Sequence, residues 1–163
     1  MKILYIGGVK SGKSKHAENS ALDLSQTPFY LATTEAMDDE MAKRVAIHKQ
    51  KRDKKFQTIE EPLKLFDSIS KLGEAVLVEC LTLWINNMLF YKKTHDEIYN
   101  EIKKTMELEN DIVFVLNDVT SGIIPDNALA REFVDISGNV SQIVASACDE
   151  VWFCIAGLKT RIK

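Results

Sequence analysis

Near its amino terminus the chain carries the segment Gly7-Gly8-Val9-Lys10-Ser11-Gly12-Lys13-Ser14, in which two glycines, a lysine and a serine stand at fixed spacing. Residues 2–6 before it are mostly apolar, and the pattern predicts a helix that opens directly from the segment, over Lys13–Leu24. Gly-x-x-x-x-Gly-Lys-Ser between a strand and a helix is the Walker A motif, whose backbone N–H groups and helix N-terminus surround phosphate oxygens. The segment therefore predicts a nucleotide site in which Lys13 contacts the β- and γ-phosphates and Ser14 ligates Mg²⁺.

Acidic residues at the ends of two later apolar runs are candidates for a second metal-binding position. Glu79 ends one run, and Asp118 follows Asn117 at the end of another. Ligands of parallel sheets bind at the carboxyl ends of the strands, so each acid would lie near the phosphates. Glu79 is the first candidate and Asn117-Asp118 the alternative, and the sequence pattern leaves both open.

Five short apolar segments alternate with stretches of helical periodicity along the chain. Because most of them lack polar alternation, they indicate strands buried on both faces of a parallel sheet. We expect one α/β domain over residues 1–163, a P-loop fold whose mainly parallel central sheet is flanked by helices. The predicted strands are 2–6, Phe29–Ala32, 75–78, 111–116 and Glu150–Ile155, and the predicted helices are Lys13–Leu24, 38–51, 96–109, 125–133 and 140–147.

The overall composition is that of an ordinary globular chain, with 163 residues, 45% hydrophobic and 28% charged, and a formal net charge of −3. This charge argues against a nucleic-acid binder, which usually carries a basic excess. No apolar run reaches the length of a membrane span and no signal peptide precedes the glycine segment, so we expect a cytoplasmic protein. The three cysteines lack metal or redox spacing and are expected to be reduced core thiols: Cys80, Cys148 and Cys154.

One histidine, His48, lies in a basic stretch, since seven of the 21 Lys and Arg residues fall between Lys43 and Lys55. On a helix that begins at Asp38, His48 would share the apolar face, with Arg44 and Arg52 one turn before and after it. Neighbouring cations favour a neutral imidazole, which is the form that attacks phosphorus. The same spacing also fits a packed histidine on an amphipathic helix, and spacing alone leaves both open. The other histidines, His16 and His95, are expected to be structural or solvated.

Four segments, in order along nearly the whole chain, resemble one family: GGVKSGKS, YLATTEAMDDEMAKRVAIHKQKR, LVECLTLWINNML and GIIPDNALAREF. They are similar to the bifunctional adenosylcobinamide kinase/adenosylcobinamide-phosphate guanylyltransferases of cobalamin biosynthesis. The resemblance implies a RecA-like P-loop fold, a homotrimer, and two Mg²⁺-dependent reactions. One phosphorylates adenosylcobinamide with ATP or GTP. The other transfers GMP from GTP to adenosylcobinamide phosphate through a guanylylated histidine, giving adenosylcobinamide-GDP and pyrophosphate.

The resemblance also implies roles for individual residues. His48 matches the histidine that carries GMP, and Glu79 matches an acidic position associated with GTP and consistent with a metal role. Other positions match nucleotide-contacting residues of the family: the segment 7–14, Thr33, Thr34, Lys49, Lys51, Arg52 and Glu60.

The last third of the chain departs from the family pattern. Val134 stands where arginine is common, and Ser141 where asparagine is common. Residues 117–119, N-D-V, replace a frequent N-E-V, and the A-G-L-K-T-R of residues 156–161 replaces a more usual ending that contains S-G. Because the phosphate loop and the His48 segment are intact, these departures bear on corrinoid placement or the kinase step more than on GMP transfer. An enzyme that retains only the guanylyltransferase activity is therefore the alternative. A non-catalytic GTP-binding switch is less favoured, because the guanine-recognition sequence N-K-x-D of small GTPases does not occur and His48 does.

Overall fold

The strands form one hydrogen-bonded sheet in the computed structural model, which describes residues 1–34 and 55–163. Seven strands of the described chain lie in the order β3-β2-β4-β5-β1-β6-β7. All neighbours from β3 to β6 are parallel, and β7 pairs antiparallel with β6. Their bounds are β1 Lys2–Gly7, β2 Phe29–Ala32, β3 Gln57–Glu60, β4 Val76–Glu79, β5 Ile112–Asn117, β6 Glu150–Ile155 and β7 Leu158–Arg161.

Helices cover both faces of this sheet. Their bounds are α1 Lys13–Leu24, α2 Leu65–Ile69, α3 Leu81–Phe90, α4 His95–Glu107 and α5 Ala128–Ala147. Leu4 and Phe114 of the sheet belong to the apolar cluster that packs against α2, α3, α4 and α5. Tyr5 and Val113, which point to the opposite face, pack in the cluster that contains the small residues of α1. The predicted α/β fold, a mainly parallel P-loop sheet flanked by helices, is confirmed.

The strand predictions succeeded where a strand is buried on both faces. In β5 the residues 112–116 are all buried, which accounts for their uninterrupted apolar sequence. The strands β3 and β7 were not predicted, because each has four residues and little apolar character, and β7 is exposed along its length. The helix α3 was also missed. Its sequence LTLWINNMLF is apolar around most of the helix and so shows no clear amphipathic period.

The separate helices predicted at 125–133 and 140–147 are wrong, because the structure has the single helix α5 there. Pro125 lies before the helix, and Asn127 is its N-cap, with its side chain accepting a hydrogen bond from Ala130 N. Gly138 inside α5 does not break it, because Ile136 and Val140 on either side are buried against the core.

The helix predicted over 96–109 is present as α4, with bounds shifted by one or two residues. Thr94 caps it: its hydroxyl accepts from Glu97 N while the Glu97 carboxylate accepts from Thr94 N. The helix predicted over 38–51 lies outside the described residues. Within the described part of the chain, no helix is both long and apolar enough to cross a membrane.

The parallel arrangement brings the carboxyl ends of six strands to one edge of the sheet. Along this edge Gly7 of β1 pairs in register with Asn117 of β5. Further along, Ala32 of β2 lies in register with both Glu60 of β3 and Glu79 of β4. The phosphate-loop segment and two of the predicted acidic residues, Glu60 and Glu79, therefore share one edge.

Candidate nucleotide-binding site

The segment between β1 and α1 forms a loop that is closed by its own backbone. Ser11 N donates to Gly8 O at 3.2 Å, and the ammonium group of Lys13 donates to the same carbonyl at 3.0 Å. Lys13 is only 6% exposed, although it carries a charge. The buried ammonium of Lys13 contacts a carbonyl and no carboxylate in the loop. Such a charge attracts an anion, because burial strengthens the interaction between opposite charges.

The two glycines of the motif are required by the hairpin of β6 and β7, which packs against the loop. Gly12 has a φ of 94°, and a Cβ there would lie 2.9 Å from Gly157 Cα. A Cβ on Gly7 would lie 2.3 Å from the carbonyl oxygen of Cys154. Gly157 N also donates to Ser11 O at 2.9 Å, so the turn is bonded to the loop as well as packed on it.

Ser14, in the first turn of α1, contacts the end of β4. Its hydroxyl donates to Oε1 of Glu79 at 2.6 Å, and both residues are partly buried. A serine hydroxyl and a carboxylate are oxygen ligands of the kind that Mg²⁺ takes. Of the two acidic candidates, Glu79 is therefore the one that meets the serine of the loop.

Asp118, the alternative candidate, is occupied by the loop that follows β5. Its carboxylate accepts hydrogen bonds from Thr120 N, from the Thr120 hydroxyl and from the Ser121 hydroxyl. Burial raises the pKa of Asp118, but these hydrogen bonds outweigh it and lower the pKa below its ordinary value. These contacts give Asp118 a role in holding the 118–121 turn.

The loop and its surroundings fit a Mg²⁺-nucleotide. Among the described residues the buried hydroxyl of Ser11 has no hydrogen-bond partner, so the loop contains a donor that a phosphate oxygen would satisfy. The first turn of α1 has no acidic residue, which leaves the positive end of the helix dipole uncompensated. Among the described residues, no three His, Cys, Asp or Glu side chains are grouped so that they could hold a metal ion.

The other described residues of the predicted site lie at the carboxyl edge of the sheet but differ in their exposure. Thr33 is fully buried, and its hydroxyl both donates to and accepts from the backbone of Cys80, so its side chain is turned into the protein. Thr34 is partly buried at the same edge. Glu60 is exposed at the end of β3, two strand spacings from Glu79, or about 10 Å.

Four of the predicted residues lie outside the described part of the chain. They are His48, Lys49, Lys51 and Arg52. Thr34 and Lys55 are the described residues on either side of this segment.

Two residues that sequence reasoning missed contact the site from elsewhere in the fold. Asn87 of α3 is 3% exposed and its amide donates to Thr33 O at 2.7 Å. Gly157 accepts from His16 Nε2 at 2.9 Å in addition to bonding the loop, which gives His16 the structural role expected of it. A buried asparagine within an apolar helix was a usable signal. The role of Gly157 could not be predicted from the sequence, because it depends on a contact between distant parts of the chain.

A Walker A loop between β1 and α1, with a carboxylate from β4 on its serine, defines a P-loop nucleotide-binding protein. One solved structure, a Pyrococcus horikoshii OT3 protein from Project ID PH0250, matches with a TM-score of 0.53 at 12% sequence identity. The match covers 99% of this chain and 85% of that one. At this identity the likeness concerns the fold alone.

Sequence comparisons narrow the class to one family. The family CobU, described as cobinamide kinase / cobinamide phosphate guanyltransferase, matches residues 3–162. Two bifunctional adenosylcobalamin biosynthesis proteins CobU, from Escherichia coli K12 and Salmonella typhimurium LT2, are each 37% identical over 100% of this chain and of theirs. The protein CobP of Pseudomonas aeruginosa PAO1 is 36% identical over 100% of this chain and 98% of its own. The chain belongs to the CobU family, which confirms the resemblance seen in its motifs.

Two of the departures from the family pattern, Val134 and Ser141, lie on α5. Val134 is partly buried, and the Ser141 hydroxyl donates to Gly138 O at 2.7 Å, a bond within the helix. Neither residue belongs to the phosphate loop or to the Ser14–Glu79 contact.

Proposed function

We propose that this chain is a bifunctional enzyme of adenosylcobalamin biosynthesis, which phosphorylates adenosylcobinamide and transfers GMP to adenosylcobinamide phosphate. The observation that carries the proposal is its full-length identity of 36–37% to three proteins that bear the name bifunctional adenosylcobalamin biosynthesis protein. The closed phosphate loop and the Ser14–Glu79 contact support it from the geometry.

For the kinase reaction the loop supplies positioning and charge neutralisation. With ATP or GTP bound, the ammonium of Lys13 would leave the Gly8 carbonyl for the β- and γ-phosphates, while Ser14 and Glu79 would hold Mg²⁺. Mg²⁺, when bound, neutralises charge on the phosphates. The hydroxyl oxygen of adenosylcobinamide then bonds to the γ-phosphorus and loses its proton to solvent, while the bond to the bridging oxygen breaks and the nucleoside diphosphate leaves.

For the guanylyl transfer we assign the nucleophile to His48. Its imidazole nitrogen bonds to the α-phosphorus of GTP while the bond to the bridging oxygen breaks, and pyrophosphate leaves. A phosphate oxygen of adenosylcobinamide phosphate then attacks the same phosphorus and breaks the phosphorus–nitrogen bond. The assignment rests on the match of the His48 segment to the family and on the cations around it, Lys49, Lys51 and Arg52.

The remaining nucleotide contacts are assigned to Thr34 and Glu60. With the phosphates on the loop, Glu60 lies four strand spacings from β1, or about 19 Å, which suits contact with the far end of the nucleotide. A homotrimer and a cytoplasmic location stay predictions from the resemblance and from the composition.

The test of the proposal is covalent labelling with α-³²P-GTP and Mg²⁺, followed by denaturation. We expect acid-labile, base-stable label on the wild-type protein and none on His48→Ala. His95→Ala, which changes an exposed histidine at the start of α4, is the matched control and should label normally. Label that persists in His48→Ala would refute the assignment of the nucleophile.

The kinase activity needs its own assay, because the alternative is an enzyme that has only the guanylyltransferase. Purified protein is incubated with γ-³²P-ATP or γ-³²P-GTP and adenosylcobinamide, and labelled adenosylcobinamide phosphate is measured. Phosphorylation that is abolished by Lys13→Ala supports the bifunctional enzyme. Labelling of His48 without any phosphorylation supports the alternative.

A further inference from the structure

A buried threonine joins the end of β2 to the end of β4. The Thr33 hydroxyl donates to Cys80 O at 2.8 Å and accepts from Cys80 N at 2.9 Å. Thr33 N also donates to Glu79 O at 3.1 Å. The fully buried Thr33 thus bonds the backbone of Glu79, the last residue of β4, and of Cys80, which follows it. Glu79 is the residue that meets Ser14.

A buried asparagine extends this network to the chain that follows β3. Asn87 donates from Nδ2 to Thr33 O at 2.7 Å and to Pro62 O at 3.2 Å. Pro62 stands two residues after Glu60, so one side-chain amide connects the ends of β2 and β3. Through Thr33 the connection continues to β4, and the three strand ends that carry Thr34, Glu60 and Glu79 are held together.

The pairing of β2 with β3 and β4 ends at Ala32, Glu60 and Glu79, and the hydrogen bonds of Thr33 and Asn87 continue the connection beyond it. Apolar contacts are non-directional, whereas paired hydrogen bonds to a backbone N–H and its carbonyl fix both distance and orientation. A small displacement of a group that positions reacting phosphates costs a large factor in rate. The network also lies where water is excluded, since both side chains are buried, which strengthens each bond.

We propose that Thr33 and Asn87 are positioning residues, which set the carboxylate of Glu79 relative to the phosphate loop and thereby the affinity for the Mg²⁺-nucleotide. The inference rests on the proposed function. It assigns to Thr33 an action through Glu79, in place of the direct nucleotide contact that the resemblance implied.

The test compares hydroxyl removal at two fully buried threonines. Thr33→Val removes the hydroxyl of the network, and Thr33→Ser keeps it. Thr105→Val is the matched control, because the Thr105 hydroxyl donates to the Glu101 carbonyl within α4 and is equally buried. GTP affinity is measured by calorimetry as a function of Mg²⁺ concentration, alongside the melting temperature and the rate of GMP transfer.

We expect Thr33→Val to raise the Mg²⁺ concentration needed for half-maximal GTP binding about tenfold, as is usual for residues that orient metal ligands. Thr33→Ser should restore most of the wild-type value. Thr105→Val should lower the melting temperature without moving the Mg²⁺ dependence. Equal Mg²⁺ dependence in Thr33→Val and Thr105→Val would overturn the proposal.

A second variant makes the test independent of how Thr33→Val folds. Asn87→Asp has the same size and removes both donated hydrogen bonds, so it should shift the Mg²⁺ dependence in the same direction. If GTP binding by Asn87→Asp depends on the Mg²⁺ concentration as in the wild type, Asn87 is not a positioning residue. Because binding is measured separately from turnover, a wild-type protein that binds Mg²⁺-GTP without transferring GMP contradicts the proposed function, and the binding data still decide the positioning role.

Discussion

At the scale of single residues, two serine–glutamate contacts lie at opposite ends of α1. Ser14 donates to Glu79 at the carboxyl edge of the sheet, and Ser25 donates to Glu74 at the other edge, each at 2.6 Å. The first is partly buried beside the phosphate loop, whereas the second is exposed. The same pair of groups therefore serves as a candidate metal site in one place and as a surface hydrogen bond in the other, and the difference lies in the surroundings.

We predict that Glu79→Gln weakens Mg²⁺-dependent GTP binding by about 10- to 100-fold, because the neutral amide keeps the shape but loses the charge that attracts the cation. The measurement is calorimetric titration of GTP at several Mg²⁺ concentrations. Glu74→Gln makes the same chemical change on the exposed pair and should leave the titration unchanged. Similar titration curves for Glu79→Gln and Glu74→Gln would refute the assignment of Glu79 as a metal ligand.

At the scale of elements, the β6–β7 hairpin acts as a support for the phosphate loop. Its turn residue Gly157 donates to Ser11 O, accepts from His16 Nε2 and approaches Gly12 closely. The carbonyl of Cys154 occupies the space where a side chain at residue 7 would lie. The loop is therefore held from the side by an element about 145 residues further along the chain, as well as by its own backbone hydrogen bonds.

We predict that Gly12→Ala destabilises the nucleotide-free protein by at least about 1–2 kcal/mol. A left-handed φ costs about that much for a residue with a Cβ, and the close contact with Gly157 adds to it. Gly8→Ala is the control for stability, because a Cβ there meets no atom within 4 Å. Urea unfolding of both variants checks this. If Gly8→Ala and Gly12→Ala unfold at the same urea concentration, the contact between residue 12 and the β6–β7 hairpin does not limit which residue can stand there.

At the scale of the whole molecule, the three thiols belong to the buried interior, as the sequence indicated. Burial, and next to it the charge of Glu79, raises the pKa of Cys80 to about 11, and burial raises the pKa of Cys148 to about 12. The folded protein thus holds these protons more tightly than the unfolded chain. The resulting stabilisation is fully present below pH 9 and is lost as the pH rises through about 11 for Cys80 and about 12 for Cys148.

We predict that the free energy of unfolding falls more steeply above pH 9 in the wild type than in Cys80→Ala. A difference of two pKa units corresponds to about 2–3 kcal/mol between pH 9 and pH 11. Urea unfolding at pH 8, 9.5 and 11 measures the slope for each protein. An identical alkaline loss in Cys80→Ala would mean that the Cys80 thiol does not contribute.

Prediction from the sequence was correct where the motif is local, or where burial of a strand on both faces gives an uninterrupted apolar run. The Walker A residues, the buried strands β4 and β5 and the acid Glu79 were identified in this way. It did not work for β7, whose four residues are exposed, or for α3, whose apolar sequence lacks a helical period. Two helices were predicted where the structure has α5 alone, because packing of Ile136 and Val140 against the core keeps the helix continuous between the two predicted segments.

The sequence by itself predicted a phosphate site at residues 7–14, because the glycine turn, the helix start and the lysine are all encoded within a few adjacent residues. It also determined the family, through motifs distributed along the whole chain. Only the tertiary structure decided that Glu79, and not Asp118, meets Ser14, and that Thr33 turns inward to the backbone of Cys80. The reason is physical: strand order and side-chain direction depend on how distant segments pack, and no local pattern records them.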